Sequence, residues 1–207
     1  MRFLEPVSLS GRHVHLEPLE LEHAPLLLAA AEPARATYTF TLVPRDLPGM
    51  SDYVAAAVAE RERGEGLPFV VRDAARTVVG STRFYSIERW KWDGTPAEPI
   101  PTGPDAVEIG FTWYAERVQR TALNTEAKLL LCTHAFERWR VRRVTWKTDS
   151  RNERSRAAIQ RLGARLDGIL RAHRPGADGI VRDTAFFSML ASEWPQAKAR
   201  LRAFLDR

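Results

Sequence analysis

Two stretches of this chain turn a strand directly into a helix, and together they limit the fold more than any other feature. The first is Trp113-Tyr114-Ala115-Glu116-Arg117-Val118-Gln119-Arg120-Thr121-Ala122-Leu123-Asn124-Thr125-Glu126-Ala127. Before it, Val107 to Tyr114 alternates as a strand; after it, apolar spacing predicts a helix to about Trp139. The second is Thr148-Asp149-Ser150-Arg151-Asn152-Glu153-Arg154-Ser155. It follows a predicted strand from Arg143 and opens a helix from Asn152 to Leu162, stopped by Gly163. Strand, helix and strand in that order need a parallel crossover. Each junction also leaves a row of free backbone N–H groups at a helix start, with the positive end of the helix dipole behind them. Such a row suits an anion.

The rest of the chain surrounds this unit. A strand is predicted from Arg12 to Pro18 and a helix from Leu21 to Ala31. Ser51 or Asp52 is the expected cap of a second helix that ends before Gly64 and Gly66. Leu67–Arg72 and Thr77–Ile87 read as two strands joined by a turn at Asp73-Ala74-Ala75-Arg76. Residues 88–106 form a long irregular connection rich in proline, glycine and threonine. Arg165–His173 and Val181–Leu190 read as a closing hairpin, followed by a terminal helix with Pro195 in its first turn. Antiparallel hairpins beside one parallel crossover predict a mixed sheet flanked by helices, the α+β class, in one domain over residues 1–207.

Composition removes several function classes. No apolar run is long enough to cross a bilayer, and the first residues lack a signal-peptide core. Cys132 is the only cysteine, inside an apolar helical run, so a reduced, cytoplasmic setting is expected. The formal charge is +5, but the arginines are spread among acidic residues rather than gathered. Nucleic acid is therefore not expected as the primary partner, nor is a membrane, whereas a phosphate-rich ligand accounts for part of the excess. The five histidines, including the mid-helix His134, show no metal-ligand spacing.

The two junctions resemble the acyl-coenzyme A site of the GNAT N-acetyltransferase superfamily, and most closely its RimJ/RimL-type branch. The resemblance covers essentially the whole chain and implies a splayed pair of parallel strands that holds the acyl-CoA. The family's pyrophosphate loop reads Gln or Arg, any two residues, Gly, any one, Gly or Ala. Gln119-Arg120-Thr121-Ala122-Leu123-Asn124 fits in register, and Thr121, Asn124, Thr125, Glu126, Ala127 and Lys128 match the branch pattern. Both glycines of that pattern are replaced here, by Arg120 and Ala122. If a positive φ is needed at Ala122, binding weakens; if Ala122 is already helical, little is lost. Asn124 alternatively reads as a plain helix cap with Glu126 complementing the dipole. At the second junction the resemblance makes Asn152 a contact of the pantetheine arm and Ser155 a neighbour of the thioester. A capping box of Ser150 with Glu153, or a cap by Asn152, is the structural alternative.

Acyl transfer from a thioester to an amine must deprotonate the amine, stabilise a tetrahedral oxyanion and accommodate the leaving thiolate. Strict alternation puts Val107, Ile109, Phe111 and Trp113 on one face of the strand, and Glu108, Gly110, Thr112 and Tyr114 on the other. The resemblance implies Glu108 as general base, directly or through water, and Ser155 as the hydrogen-bond donor to the thiolate. A solvated strand position is the alternative for Glu108. Tyr38, Phe40, Trp90, Trp92 and Tyr114 are candidate walls of the acceptor pocket. The expected activity is transfer of an acetyl group from acetyl-CoA, without a metal, to a primary amine on a protein N-terminus, a small amine or an amino-acid conjugate. A non-catalytic acyl-CoA-binding domain on the same fold is the alternative that the missing glycines suggest, and a homodimer is left open as the assembly.

Overall fold

The computed structural model describes residues 4–206 apart from 98 and 102. Its strands are β1 (Leu9–Ser10), β2 (Val14–Pro18), β3 (Leu67–Asp73), β4 (Val78–Glu88), β5 (Ala106–Tyr114), β6 (Arg143–Asp149), β7 (Arg165–Pro175) and β8 (Val181–Leu190). The helices are α1 (Ala24–Ala31), α2 (Leu47–Glu62), α3 (Ala122–Thr133), α4 (Glu153–Leu162) and α5 (Trp194–Leu205). One sheet holds all eight strands in the order β1-β2-β3-β4-β5-β6-β8-β7. The only parallel neighbours among them are β5 and β6.

That parallel pair is short. Ala106, Val107 and Glu108 lie opposite Arg143, Val144 and Thr145, and the register stops there. Both strands continue beyond it, β5 to Tyr114 and β6 to Asp149. Past the root at Glu108 the two strands have therefore parted, and their facing edges carry backbone groups that no ladder uses.

The core has two layers, one on each face of the sheet. Leu123, Ala127 and Leu131 of α3, Ile159 and Leu162 of α4, and Leu201 of α5 pack with Leu16, Phe69, Phe84, Ile109 and Phe187. On the other face, α1 and α2 bury Leu27, Met50 and Val54 against Val70, Val78 and Trp113. Burial of apolar area drives both layers. The second layer ends near β5, so that face of β6 and β8 is left without a helix.

Several predicted details are corrected. Helix α2 begins at Leu47, not after Ser51 or Asp52, because Asp46 caps it by accepting from the Gly49 N–H at 2.8 Å and Pro48 fits the first turn. The alternation of β5 breaks at Phe111, whose φ is 49°. Gly110 lies opposite Arg83 and Trp113 opposite Ser81, so β5 spends one more residue than β4 between these pairs: a β-bulge. Beyond it the faces exchange. Trp113 joins the α1/α2 layer, Tyr114 joins the layer of Ile109, and Thr112 turns toward α3, where the Lys128 ammonium donates to its hydroxyl at 2.8 Å. The predicted grouping of Thr112 and Tyr114 with Glu108 thus fails.

Glu126 does more than complement a dipole. Its buried carboxylate accepts from the backbone N–H groups of Arg12 (2.9 Å), His13 and Val14 (3.0 Å), clasping the entry of β2 to the first turn of α3. A Cβ at Gly11 would lie 2.3 Å from that carboxylate, so glycine is the residue this approach allows. His134 is packed between the rings of Phe84 and Trp139, and burial pushes its pKa down to about 4. Cys132 is fully buried, with its thiol pushed up to about 12 by desolvation.

Candidate active site

The gap between the parted strands opens into a cleft of about 880 Å³. Its walls are the β5 segment from Ile109 to Tyr114, the β6 segment from Trp146 to Thr148, the starts of α3 and α4, and the end of the β7–β8 hairpin. Every charged side chain that lines it is Arg or Lys; no Asp or Glu among the described residues reaches its surface.

The first junction is built by one left-handed residue. Arg120 has a φ of 62°, and this turn carries the chain from β5 into α3. Thr121 is the N-cap: its hydroxyl accepts from the Leu123 N–H at 3.3 Å and donates to the Val118 carbonyl at 2.8 Å. The cap is therefore Thr121 and not Asn124, which lies in the first turn. Ala122 is the first helical residue, so the positive φ falls on Arg120 and alanine is no obstacle at 122. Gln119, Arg120, Thr121 and Asn124 line the cleft. Leu123 and Thr125 do not; Leu123 packs in the core and Thr125 is buried, accepting from Arg161 at 3.2 Å. With the Leu123 N–H taken by the cap, the N–H groups of Ala122 and Asn124 are the ones left to serve a ligand at the helix start.

The second junction is differently furnished. Asn152 caps α4 by accepting from the Ser155 N–H at 3.0 Å, so the expected Ser150–Glu153 box is replaced by an Asn152 cap. Asn152 and Ser155 both line the cleft, and the cap uses only the oxygen of the Asn152 amide. Gln119 and Arg154 tie the two junctions together. Gln119 donates to the Tyr114 carbonyl at 2.9 Å, and Arg154 donates to Gln119 at 3.4 Å and to the Thr37 carbonyl at 2.8 Å.

At the root of the splay sits Glu108. It is 1% exposed, which ends the reading of a solvated strand residue. One oxygen accepts from the Tyr85 hydroxyl and the other lies 2.6 Å from the Lys147 ammonium. Glu108 itself does not line the cleft, whereas Tyr85 and Lys147 do. Burial first, and then the Glu108 charge, push the Tyr85 pKa far above its ordinary value. Gly110 makes the arrangement possible, since a Cβ there would meet the Tyr85 ring at 2.6 Å. Lys128 also reaches the cleft, and its burial pushes its pKa down to about 7.

Of the candidate pocket walls, Tyr38, Phe40 and Tyr114 line the cleft. The Tyr38 hydroxyl donates to the Tyr114 carbonyl at 3.1 Å, and Phe40 lies under the Arg151 guanidinium at 5.3 Å. Trp90 and Trp92 do not reach it. They lie in the connection after β4, 38% and 41% exposed, beneath Arg143 and Arg142. Sequence reasoning overlooked Tyr85, Lys147, Arg174 and Arg182. One signal was present: the chain has lysine at only four positions, and two of them, Lys128 and Lys147, line this cleft.

A splayed parallel pair, a helix start at its mouth and a cationic cleft between them are the features of an acyltransferase of the acetyl-CoA-dependent kind. Residues 13–165 match the acetyltransferase (GNAT) domain family, and the chain belongs to that family. It is similar to "Putative ribosomal N-acetyltransferase YdaF" of Bacillus subtilis (strain 168), at 33% identity over 91 residues, which are 44% of this chain and 49% of that protein. The chain thus matches about half the length of that relative. Among solved structures, a GCN5-related N-acetyltransferase from Brucella melitensis superposes with a TM-score of 0.80 at 31% identity, over 97% of this chain and 86% of that one. RimJ of Mycobacterium smegmatis, solved in complex with CoA-disulfide, has the same fold, with a TM-score of 0.75 at 21% identity over 96% of this chain and 93% of that one. No helix among the described residues is long and apolar enough to cross a membrane.

Proposed function

We propose that the protein transfers the acetyl group of acetyl-CoA directly to a primary amine, with the α-amine of a protein N-terminus as the leading acceptor. The observation that carries this reading is the cleft itself: the parallel strands part at Glu108–Thr145, and the gap is lined by cations without one carboxylate among the described residues. Such a lining matches a polyanionic coenzyme, whose phosphates the backbone N–H groups of Ala122 and Asn124 and the Arg120 guanidinium would hold. Asn152 would bond the pantetheine arm through its free amide NH₂, and Ser155 would face the sulfur. The unpaired edge of β5 beyond Glu108 offers N–H groups to the carbonyl that becomes an oxyanion. The printed name of the Bacillus relative, a putative ribosomal N-acetyltransferase, supports an amine on a ribosomal component as acceptor. Acid–base arithmetic favours an N-terminal amine: an α-amine with a pKa near 7.8 is roughly 14% neutral at pH 7, against a few parts in ten thousand for a lysine.

The amine proton leaves by way of Tyr85. Its hydroxyl takes a proton from the attacking nitrogen as it passes its own to the Glu108 carboxylate. The two transfers are concerted, because the raised pKa of Tyr85 keeps a free tyrosinate from accumulating. Incubation with labelled acetyl-CoA and a panel of amines tests the reading; tight coenzyme binding with no turnover on any amine would overturn it in favour of a non-catalytic binding domain. Glu108→Gln should lower kcat by about 10²–10⁴-fold while coenzyme affinity is kept, with the smaller loss on α-amines. Full activity of that variant at pH 7 would remove Glu108 from the proton path.

A further inference from the structure

The arginines of the cleft fall into two sets. Arg120 and Arg154 stand at the two helix junctions, and Arg161, in the last turn of α4, reaches Thr125 near the start of α3; the coenzyme's phosphates belong there on the reading above. Arg174 and Arg182 stand elsewhere. They are directly opposite each other on β7 and β8 and line the cleft together with Tyr85. Register and alternation put Arg182 on the same sheet face as Phe186, the cross-strand partner of Lys147, whose ammonium pairs with Glu108. This is the face that α1 and α2 leave uncovered, so the acceptor has an open approach to it.

Two like charges placed opposite each other across a ladder repel, and a sheet keeps such a pair only where something offsets the cost. Arg174 is exposed and Arg182 half-buried, so solvent screens only part of that cost, and no acidic partner among the described residues removes the rest. Among the described residues neither arginine has a carboxylate within ion-pair distance; Arg182 donates through Nε to the Thr184 hydroxyl at 3.2 Å, leaving its terminal fork free of that bond. Neighbouring acids are committed. Asp149 holds Arg151 in a two-pronged pair at 2.7 and 3.0 Å, Glu108 holds Lys147, and Asp183 accepts from the Ala172 N–H at 2.8 Å. Burial, and then the nearby Arg174 charge, lower the pKa of Arg182. The pair is nevertheless held in place. Arg151 bridges Asp149 to Asp178 in the hairpin turn at 2.9 Å, and the turn closes through the Gly176 N–H donating to the Ile180 carbonyl at 2.7 Å.

We infer that Arg174 and Arg182 form an oxyanion-binding subsite for the acceptor, so that the protein selects primary amines carried on acidic molecules. A carboxylate between two guanidinium forks gains charge-assisted, bidentate bonds and relieves the repulsion between the forks. The two arginines and the Tyr85 hydroxyl line the same cleft, which matches an acceptor that carries both an amine and a carboxylate. This inference rests on the acetyltransfer reading for the identity of the acceptor, though the anion site itself does not.

The test compares two C-terminally amidated peptides of equal length with a free N-terminus, Ser-Asp-Glu-Phe and its counterpart Ser-Asn-Gln-Phe, together with glutamate and glutamine, each as its α-amide. The wild type should show kcat/KM at least tenfold higher for the acidic member of at least one pair, decreasing as salt is raised. In both Arg174→Gln and Arg182→Gln that ratio should fall to within about twofold of one. A preference among the peptides assigns the carboxylate to an acidic protein N-terminus; one confined to the amino-acid amides assigns it to a small acceptor. A wild-type ratio near one in both pairs, with turnover, overturns the inference and leaves the acetyltransferase reading intact. If no amine is acetylated, that reading falls, and calorimetric binding of the same compounds in the presence of CoA decides the subsite: tighter acidic binding lost in both variants supports it, and equal binding in the wild type overturns it.

Discussion

The two strand-to-helix junctions look alike in sequence and are built in opposite ways. At the first, one strained residue makes the turn: Arg120 is left-handed, and of the early N–H groups of α3 the side-chain cap takes only that of Leu123. At the second, more of the donors are taken. The Asp149 side chain accepts from the Arg151 N–H at 2.9 Å, the Asn152 side chain accepts from that of Ser155, and the Arg151 carbonyl accepts from that of Glu153 at 2.9 Å. The first junction therefore keeps more backbone donors for an anion, whereas the second offers mainly side chains. A helix start is an anion site only when its own caps leave it hungry.

The largest effect that separates them is expected at Ala122. Ala122→Glu places a negative side chain among the open donors and should weaken acetyl-CoA binding by more than a hundredfold in calorimetry, with the circular dichroism of the fold preserved. Unchanged affinity would put the phosphates somewhere other than the first junction. A smaller, mixed effect is expected at the second. Asn152→Ala removes a cap, so stability should fall by about 0.5–2 kcal/mol, and KM for acetyl-CoA should rise as well if the free NH₂ holds the coenzyme. A loss of stability with normal kinetics would reduce Asn152 to a cap. The smallest effect belongs to Arg120→Gly, which relieves a left-handed side chain at the cost of added unfolded-state freedom. Stability should rise by about 0.5–1 kcal/mol, while coenzyme affinity falls at most about tenfold. An affinity that stays constant would show that the guanidinium spans the turn without touching phosphate.

The comparison also shows which parts of the molecule a sequence can display. Element order and the parallel crossover were legible from local period, and the resemblance of the two junctions to an acyl-CoA site brought Gln119, Thr121, Asn124, Asn152 and Ser155 together, which the cleft's lining does as well. The bulge at Phe111 was not legible. It depends on how β5 registers against β4, and one extra residue moved Thr112 and Tyr114 to the opposite face. The start of α2 was legible but obscured, since Asp46-Leu47-Pro48 is an ordinary helix opening followed by an unhelpful Gly49. Tyr85, Lys147, Arg174 and Arg182 come from four strands, and no spacing rule links residues so far apart. Only the sheet order brings them together. Trp90 and Trp92 erred the other way: aromatic residues in a long connection suggest a lid, but the guanidinium groups of Arg142 and Arg143 cover them at the sheet's end.

The clasp of Glu126 on the entry to β2 ties together parts of the chain that are far apart in sequence. It joins positions 112 to 114 residues apart, and one of its ends is in α3, the helix whose start opens on the cleft. Closing so long a loop costs conformational entropy that the contact must offset. The mouth of the cleft is thus moored to a strand near the edge of the sheet, and one carboxylate with three backbone N–H groups fixes that mooring where apolar packing alone would leave it free to slide.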